Sequence, residues 1–372
     1  MEKKHKITFF HPYFCDGGVE RTNIRLSRYF ISKGFEVDFL ALTFDSHHLP
    51  EVKAAGIHMI KLRGKRTLTS IRGIRQYIKR EKARYKLHII GCQNYANIIL
   101  ILACMGLSKD MDVIVSERLS LDELTIYSAR KKDKLILFLM KKLYKRADTI
   151  TAISEELAND LSAYLKAPVV CTYNPTYSED FEQYAADTVD DIWFHENIPV
   201  ILSAARLEKP KDLSTLLQAF ALVRQKQNCR LVIVGDGSER DKLISLIHEL
   251  NITDDVKLLP FDPNPYKYMA RASVFVVSSI YEGLCNTVIE ATAVKTPCVV
   301  TDCKSGPKEI VLYGKGGLVV PVCNAAKMAM GIEWVLKNPE EAKKKMELAF
   351  HSLDRFRPEV VGEKYMNCLK KI

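Results

Sequence analysis

The chain has 372 residues, 47% of them hydrophobic and 27% charged. That is an ordinary soluble composition, too long for one typical core and suited to two α/β domains of about 150–200 residues each. The net charge of +10 favours phosphate-bearing partners, and it is uneven: residues 61–86 hold eleven Lys/Arg against one acid, and residues 130–146 hold eight against one. Ten cysteines occur with no CxxC and no zinc-type Cys/His spacing. They read as buried thiols in a reducing compartment, not as a disulfide framework. The basic start has too short an apolar run for a secretory signal, and the apolar stretch 98–107 is about half of what a membrane span needs. A cytoplasmic location is expected, with any membrane contact peripheral, possible at the inner face of the plasma membrane.

In chain order, short β-rich runs fall at 7–10, 37–41, 58–62, 88–91, 113–116 and 149–152, with helical stretches such as 20–33, 69–84 and 133–146 between them. That alternation predicts a parallel sheet covered by helices. Residues 176–197 are acidic, flecked with aromatics and aperiodic, and suit a linker. The rhythm resumes with strands at 200–204, 230–234, 256–259, 274–277, 298–301 and 318–320, and the chain from 339 onward reads as helical. The expected division is a first domain over 1–175, a linker over 176–197, a second domain over 198–350, and a helical tail over 351–372 packing back toward the first domain. Two doubly wound domains place a cleft between them, faced by the loops at the carboxyl ends of their strands, where ligands bind in such sheets.

Several of those loops carry chemistry. Gly17-Gly18, after the first strand, lets the backbone approach a ligand, and the following helix aims free N–H groups at the spot. The same residues also suit a plain strand-to-helix turn. Arg206 and Lys211 bracket a tight segment after the strand 200–204, a planar fork and a point charge that together can grip a diphosphate. Gly235-Asp236-Gly237-Ser238 reads as a tight turn with Ser238 capping a helix, or as a wall of a nucleotide pocket. Asp110-Met111-Asp112 is a DxD lying before a strand, and reads as a loop, not a metal motif.

The most informative segment runs from Ser278 to Ala291. A strand ends at Val277, a loop carries Glu282-Gly283, and a helix starts near Asn286 with Glu290 in its early turns. N–H groups of Thr287 and Val288 are expected to be free for a ligand. Two carboxylates across a helix start can accept hydrogen bonds from two sets of sugar hydroxyls. They also suit a helix start whose acids favour the dipole.

Glu282 and Glu290 form E-x7-E. With EGLCNTVIEA around them, Thr296-Pro297-Cys298-Val299-Val300 and Ser305-Gly306-Pro307-Lys308-Glu309-Ile310 after them, they resemble the retaining glycosyltransferase family 4. The SGPxEI form is similar to bacterial members that build O-antigen, capsule and lipid-linked oligosaccharides. The resemblance extends to the early GGxE loop, the SEEL stretch at 154–157, Asn174-Pro175 and the Arg206/Lys211 pair.

It implies an α/β fold of two Rossmann-like doubly wound domains in the GT-B arrangement, facing a central cleft, with the first domain on the acceptor side. It further implies that Arg206 and Lys211 hold the donor diphosphate, Glu282 the donor sugar and Glu290 the ribose hydroxyls. Gly17 and Gly18 approach the donor phosphates. Gly235, Gly283, Asn286, Thr287 and Val288 line the donor site. Where the family often has a histidine, this chain has Ser116-Glu117-Arg118, so Arg118 faces the transferred sugar or the acceptor, or else lies on the surface. The family's usual Gly-Phe-Gly is Gly283-Leu284-Cys285 here, and Lys295 stands where a small residue is usual.

The expected activity is transfer of a hexose or N-acetylhexosamine from a nucleotide diphosphate sugar, UDP before GDP, to a glycan or lipid-linked glycan. No cofactor and no metal is expected, since the two cations neutralise the diphosphate. An epimerase or hydrolase on the same plan, or a non-catalytic sugar-nucleotide-binding subunit, stands as the alternative. The basic segments, with Ile71, Ile74, Tyr77 and Ile78 in one and 135–140 in the other, suit docking to an anionic leaflet or simply a solvated face. No nucleic-acid-reading module is present, so nucleic acid is not an expected partner.

Overall fold

The computed structural model describes residues 3–107, 110–126, 130–178 and 180–369. It divides into two compact units, Met1–Thr176 with Arg355–Ile372, and Tyr177–Asp354. The first holds β1 (Lys4–Phe10), β2 (Tyr13–Phe14), β3 (Glu36–Ala41), β4 (Thr43–Phe44), β5 (His58–Lys61), β6 (Tyr85–Gly91), β7 (Met111–Glu117), β8 (Thr149–Ala152) and β9 (Val170–Cys171). Seven of these form one sheet in the order β5-β3-β1-β6-β7-β8-β9, while β2 and β4 pair on their own. Every pairing is parallel. The chain winds outward from β1 in one direction and from β6 in the other, so the carboxyl ends of β1 and β6 lie at the switch point where such sheets bind ligands.

Burial on both faces explains the near-continuous apolar strands. Ile7, Phe9, Phe10, Ile89 and Ile90 are fully buried. The helix Ile71–Glu81 presses Ile74, Tyr77 and Ile78 onto this core and turns its cations outward. The apolar residues Ile74, Tyr77 and Ile78 are therefore spent inside the fold and are not available to meet a membrane. The helix Asn94–Cys104 is apolar and almost wholly buried. The helix Lys131–Leu143 buries only Ile136 and Met140, leaving Leu135 and Phe138 each 56% exposed. Asp112 lies inside β7, fully buried, with His88 Nδ1 at 2.7 Å from its Oδ2. The DxD thus enters the strand instead of preceding it.

The second unit holds β10 (Val200–Ala204), β11 (Arg230–Val234), β12 (Val256–Leu259), β13 (Val274–Val277), β14 (Cys298–Thr301) and β15 (Leu318–Val320). They form a parallel sheet in the order β12-β11-β10-β13-β14-β15, again doubly wound, here about β10 and β13. Leu216, Phe220, Ile233, Val276, Met328 and Ile332 fill its core. Residues 176–197 are not a free linker. Tyr177 onward belongs to this unit, the helix Phe181–Ala185 puts Phe181 against Tyr266 with ring centroids 4.5 Å apart, and Asp191 pairs with Lys257 at 2.7 Å. At the other end, the helix Pro358–Cys368 packs on the helix Gly18–Ser32 within the first unit. Gly362 makes that approach possible, because a Cβ there would lie 2.1 Å from Tyr29 Cδ1. Tyr29 Oη donates to Glu363 at 2.5 Å beside it.

Candidate active site

In the second unit the carboxyl ends of β10, β11 and β13 carry three interlocked loops. The Arg206 loop is stitched to the glycine turn after β11: Ala205 N donates to Val234 O (3.1 Å), Leu207 N to Asp236 O (2.9 Å) and Glu239 N to Leu207 O (2.9 Å). This explains the glycines. Gly235 has φ +145°, and a Cβ on it would sit 2.0 Å from Ala205 O, while one on Gly237 would meet Leu207 O at 2.4 Å. Ser238 does not cap the next helix, whose N-cap is Glu239. Its amide and hydroxyl donate instead to Glu208, at 3.2 and 2.9 Å. Gly235 therefore shapes the loop that carries Arg206.

Lys211 ends a short turn, Lys209–Lys211. Asp212, at φ +44°, caps the helix Leu213–Arg224 through its side chain. Ser278 Oγ donates to Lys211 O (2.6 Å) and Ile280 N to Pro210 O (2.8 Å), which ties this turn to the loop after β13. The result is a pairing that the sequence did not reveal: Lys211 Nζ lies 2.5 Å from Glu282 Oε1, which also accepts from Ser279 Oγ at 2.7 Å. Burial works against the Lys211 charge, but the adjacent Glu282 carboxylate outweighs it and holds the ammonium above the ordinary lysine range. Arg206 is exposed, and its side chain makes no hydrogen bond or ion pair among the described residues.

The helix Asn286–Ala293 begins as expected, with Cys285 as N-cap at φ +66° and no side-chain cap. Its N-terminus is less open than the sequence suggested, because Val288 N donates to Cys285 O at 3.1 Å. Val288 is corrected from a free donor to a turn donor. Its side chain is buried, and Gly283 is buried ahead of it. Asn286 and Thr287 stay half-exposed, and Thr287 Oγ1 is 3.5 Å from Cys285 Sγ. Burial, reinforced by Glu282, pushes the Cys285 thiol far up, so it is protonated and no nucleophile. Glu290 is 4% exposed and accepts from Tyr266 Oη at 3.2 Å. Tyr266 was missed by sequence reasoning, since only the folded chain brings it to Glu290. Gly306, at φ +84°, lies against Leu284, where a Cβ would come within 2.5 Å of the backbone, so the Ser305-Gly306-Pro307 turn braces the Glu282 loop.

The first unit has its own polar cluster at the carboxyl ends of β1 and β7. Gly17 is the N-cap of the helix Gly18–Ser32, and a Cβ there would lie 2.6 Å from Glu20 Oε2. Glu20 folds back over the helix start, where its Oε1 accepts from Cys15 N at 3.3 Å and lies 3.5 Å from His11 Nδ1. The carboxylate thus lies over the helix start beside Gly17, where the family resemblance implies an approach to donor phosphates. Arg118 is not a surface residue. It is 5% exposed, donating through Nη1 to Asn174 Oδ1 (3.1 Å) and Nη2 to Asn23 Oδ1 (2.9 Å), with Nε unpartnered. His11 is equally buried, and apart from the Glu20 carboxylate 3.5 Å from Nδ1 its ring nitrogens have no hydrogen-bond partner among the described residues. Burial lowers its pKa, Glu20 opposing and Arg118 assisting, so it is neutral. His11 also escaped sequence reasoning, its only signal being its place at the end of the first strand.

Comparison with known proteins decides what this pair of sheets belongs to. Residues 16–179 match the family described as Glycosyltransferase Family 4, and residues 188–349 match Glycosyl transferases group 1. The chain belongs to glycosyltransferase family 4. Among curated relatives of this family-4 member, an N-acetylgalactosamine-N,N'-diacetylbacillosaminyl-diphospho-undecaprenol 4-alpha-N-acetylgalactosaminyltransferase of Campylobacter jejuni is 37% identical over 209 residues, 55% of each chain. The lipopolysaccharide core biosynthesis glycosyltransferase LpsE of Rhizobium meliloti is 30% identical over 172 residues, 46% of this chain and 49% of that one. The matched stretch thus spans about half the length of these relatives. Among solved structures, Anabaena Alr3699/HepE in complex with UDP superposes with a TM-score of 0.79 at 17% identity, covering 97% of this chain and 98% of that one. Sucrose-phosphate synthase from Thermosynechococcus elongatus gives 0.78 at 19%, covering 98% of both. The family-4 member therefore has the GT-B fold, two Rossmann-like parallel-sheet domains.

Proposed function

We propose that this family-4 member transfers a hexose or N-acetylhexosamine from a nucleotide diphosphate sugar, with retention, to a glycan carried on a polyprenyl diphosphate or destined for a cell-surface polysaccharide. The observation that carries the reading is the Lys211–Glu282 pair, 2.5 Å apart at the carboxyl ends of β10 and β13, beside an exposed Arg206 whose side chain makes no hydrogen bond or ion pair among the described residues. An arriving diphosphate gives Arg206 its counter-charge and competes with Glu282 for Lys211. Glu282 is then released to accept hydrogen bonds from donor-sugar hydroxyls, and Glu290 with Tyr266 is assigned to the ribose. As the bond from the anomeric carbon to the diphosphate breaks, negative charge grows on the departing oxygen, and the Arg206 and Lys211 cations stabilise it electrostatically. The acceptor oxygen bonds to the same face of the anomeric carbon and its proton passes to the departing phosphate. No side chain acts as nucleophile and no metal takes part in this step.

UDP as the nucleotide is supported by the HepE complexes with UDP and UDP-glucose, and an α-linked product by the Campylobacter relative's name. A lipid-linked acceptor is supported by that same name and by the helix Lys131–Leu143, whose exposed Leu135 and Phe138 stand among Lys131, Lys132, Lys134, Lys141 and Lys142. The test is mass spectrometry of products from UDP- and GDP-sugars offered with membrane-lipid acceptors. Lys211→Ala and Glu282→Ala are expected to abolish most transfer. Near-normal transfer by both folded variants would sink the site, and release of free sugar or an epimer without acceptor would favour a hydrolase or epimerase.

A further inference from the structure

The segments that follow β1 and β3 run side by side as a short ladder. Leu42 N donates to Pro12 O at 2.9 Å, Tyr13 and Phe14 of β2 face Thr43 and Phe44 of β4, and Asp45 N donates to Phe14 O at 2.8 Å. Phe14, 1% exposed, anchors the ladder, with the rings of Phe39 and Phe44 at 5.3 and 5.8 Å. Just past its end, the two segments place Asp16 opposite Ser46, His47 and His48. Asp16 Oδ1 accepts from Ser46 Oγ at 2.6 Å and from His47 N at 2.9 Å. That leaves Oδ2 facing His47 Nδ1, 2.8 Å away. His48 N donates to Ser46 Oγ at 3.1 Å, which turns the chain so that the rings of His47 and His48 lie 4.2 Å apart. One donor atom from each of Asp16, His47 and His48 falls within 4.8 Å of the others.

A simple ion pair accounts for Asp16 and His47. It does not account for His48 converging on the same spot, nor for a carboxylate whose other oxygen is already oriented by two donors. We propose that Asp16, His47 and His48 form a binding site for Zn²⁺ or a similar borderline transition-metal ion. Two imidazoles and one carboxylate suit such ions, whereas Mg²⁺ and Ca²⁺ prefer all-oxygen shells. Ser46 supplies the outer hydrogen bond that orients a ligating carboxylate. Glu51, itself tied to Arg28 at 3.1 Å, has its Oε2 3.6 Å from His48 Nδ1, an ion-pair contact beside the second imidazole. The site lies outside the transfer chemistry assigned to Lys211 and Glu282, and its existence does not depend on that assignment. Its structural effect is local: a bound ion joins the residue before Gly17, the N-cap of the helix Gly18–Ser32, to His48, the N-cap of the helix Leu49–Ala54.

The experiment is calorimetric titration of the full chain, free of any affinity tag, with ZnCl₂ and NiCl₂, alongside a Co²⁺ absorption spectrum. One site per chain is expected, lost in Asp16→Asn, His47→Gln and His48→Gln, and weakened at least about tenfold in Ser46→Ala. All four positions lie in surface turns, and thermal melts of the metal-free proteins establish that the variants fold. The exposed thiols Cys15 and Cys323 are the competing ligands. A Cys15→Ser/Cys323→Ser protein is expected to keep the site, and the cobalt spectrum to lack thiolate charge-transfer bands. Three outcomes overturn the proposal: no uptake, uptake that survives the ligand variants, or uptake lost with the two thiols. Equal affinity for Mg²⁺ or Ca²⁺ overturns the assigned metal class.

Discussion

At the carboxyl ends of β10 and β13, charge is paired and close to solvent. At the carboxyl ends of β1 and β7, it is buried and only partly paired. Lys211 and Glu282 satisfy each other, Arg206 stands exposed, and the loops that carry them are fixed by main-chain bonds that do not involve these side chains. In the first unit Arg118 holds Asn23 and Asn174, and two loops converge on its guanidinium. The difference separates two kinds of polar residue. A group held by the scaffold can be removed at the expense of chemistry, whereas a group that holds the scaffold is removed at the expense of the fold.

The largest expected effects test that division. Lys211→Ala should lower kcat by about 10²–10³-fold, the range for loss of one transition-state charge stabiliser, with little change in denaturant midpoint. Arg118→Ala should cost on the order of 3 kcal/mol of unfolding free energy, because two buried amide oxygens lose their donors. Urea melts and steady-state kinetics on both variants decide the matter. Equal destabilisation by the two would erase the distinction.

A second contrast concerns the two basic helices, which look alike in sequence. Both mix cations with an apolar stripe at helical spacing. Periodicity reveals that a stripe exists but not what covers it. Ile74, Tyr77 and Ile78 meet the first sheet, whereas Leu135 and Phe138 meet solvent. Ile74→Glu should destabilise the chain by more than about 3 kcal/mol, since it buries an unpaired carboxylate. Leu135→Glu with Phe138→Glu should leave the melt unchanged and abolish sedimentation with anionic vesicles. Vesicle binding that survives the pair would move the docking surface elsewhere.

The same limit governs what else was legible. The six strands of the second sheet fall where their apolar runs and flanking turns put them, because a strand buried on both faces writes its whole length into the sequence. β2, β4 and β9 have two residues each, too few to show a period, and they surface only as neighbours of other strands. Arg206, Lys211 and Glu282 stood out as residue types in strand-end loops, and Glu290 in the first turns of the helix that follows. That Lys211 and Glu282, 71 residues apart, pair with each other is a tertiary fact that spacing cannot carry. The lost donor at Val288 depends on the backbone of Cys285, and His11 shows itself only through burial beside Glu20 without a hydrogen bond to its ring.

Glu117, next to Arg118, offers a subtler test of the first-unit cluster. It is fully enclosed, accepting from Tyr144 Oη and, at 2.8 Å, from Asn97 Nδ2. Burial raises its pKa to about 7, against the effect of those two donors. The folded state therefore holds a proton that the unfolded state releases above its ordinary value near 4.5. Stability from this group is complete below that value and declines as pH rises toward 7, by up to about 3 kcal/mol. Glu117→Gln keeps the acceptor oxygen and removes the titration. Its unfolding free energy should lose that slope between pH 4.5 and 7 relative to the parent chain, as read from urea melts across the window.

The smallest effect is expected at Cys285. Family resemblance leads one to expect glycine here, and the backbone agrees, since φ is +66° at the N-cap of the helix Asn286–Ala293. A left-handed non-glycine residue costs about 1–2 kcal/mol, and glycine surrenders about 0.5–1 kcal/mol more chain entropy on folding, so the two terms nearly cancel. Cys285→Gly should therefore shift stability by less than about 1 kcal/mol, while Cys285→Val, branched at Cβ in a left-handed conformation, should lose more than that. Thermal melts of the two variants settle the order. If the glycine variant proves the weaker, the thiol's packing against Thr287, 3.5 Å away, holds the Glu282 loop in place. The departure from glycine would then be a brace for the helix start that faces the Lys211–Glu282 pair.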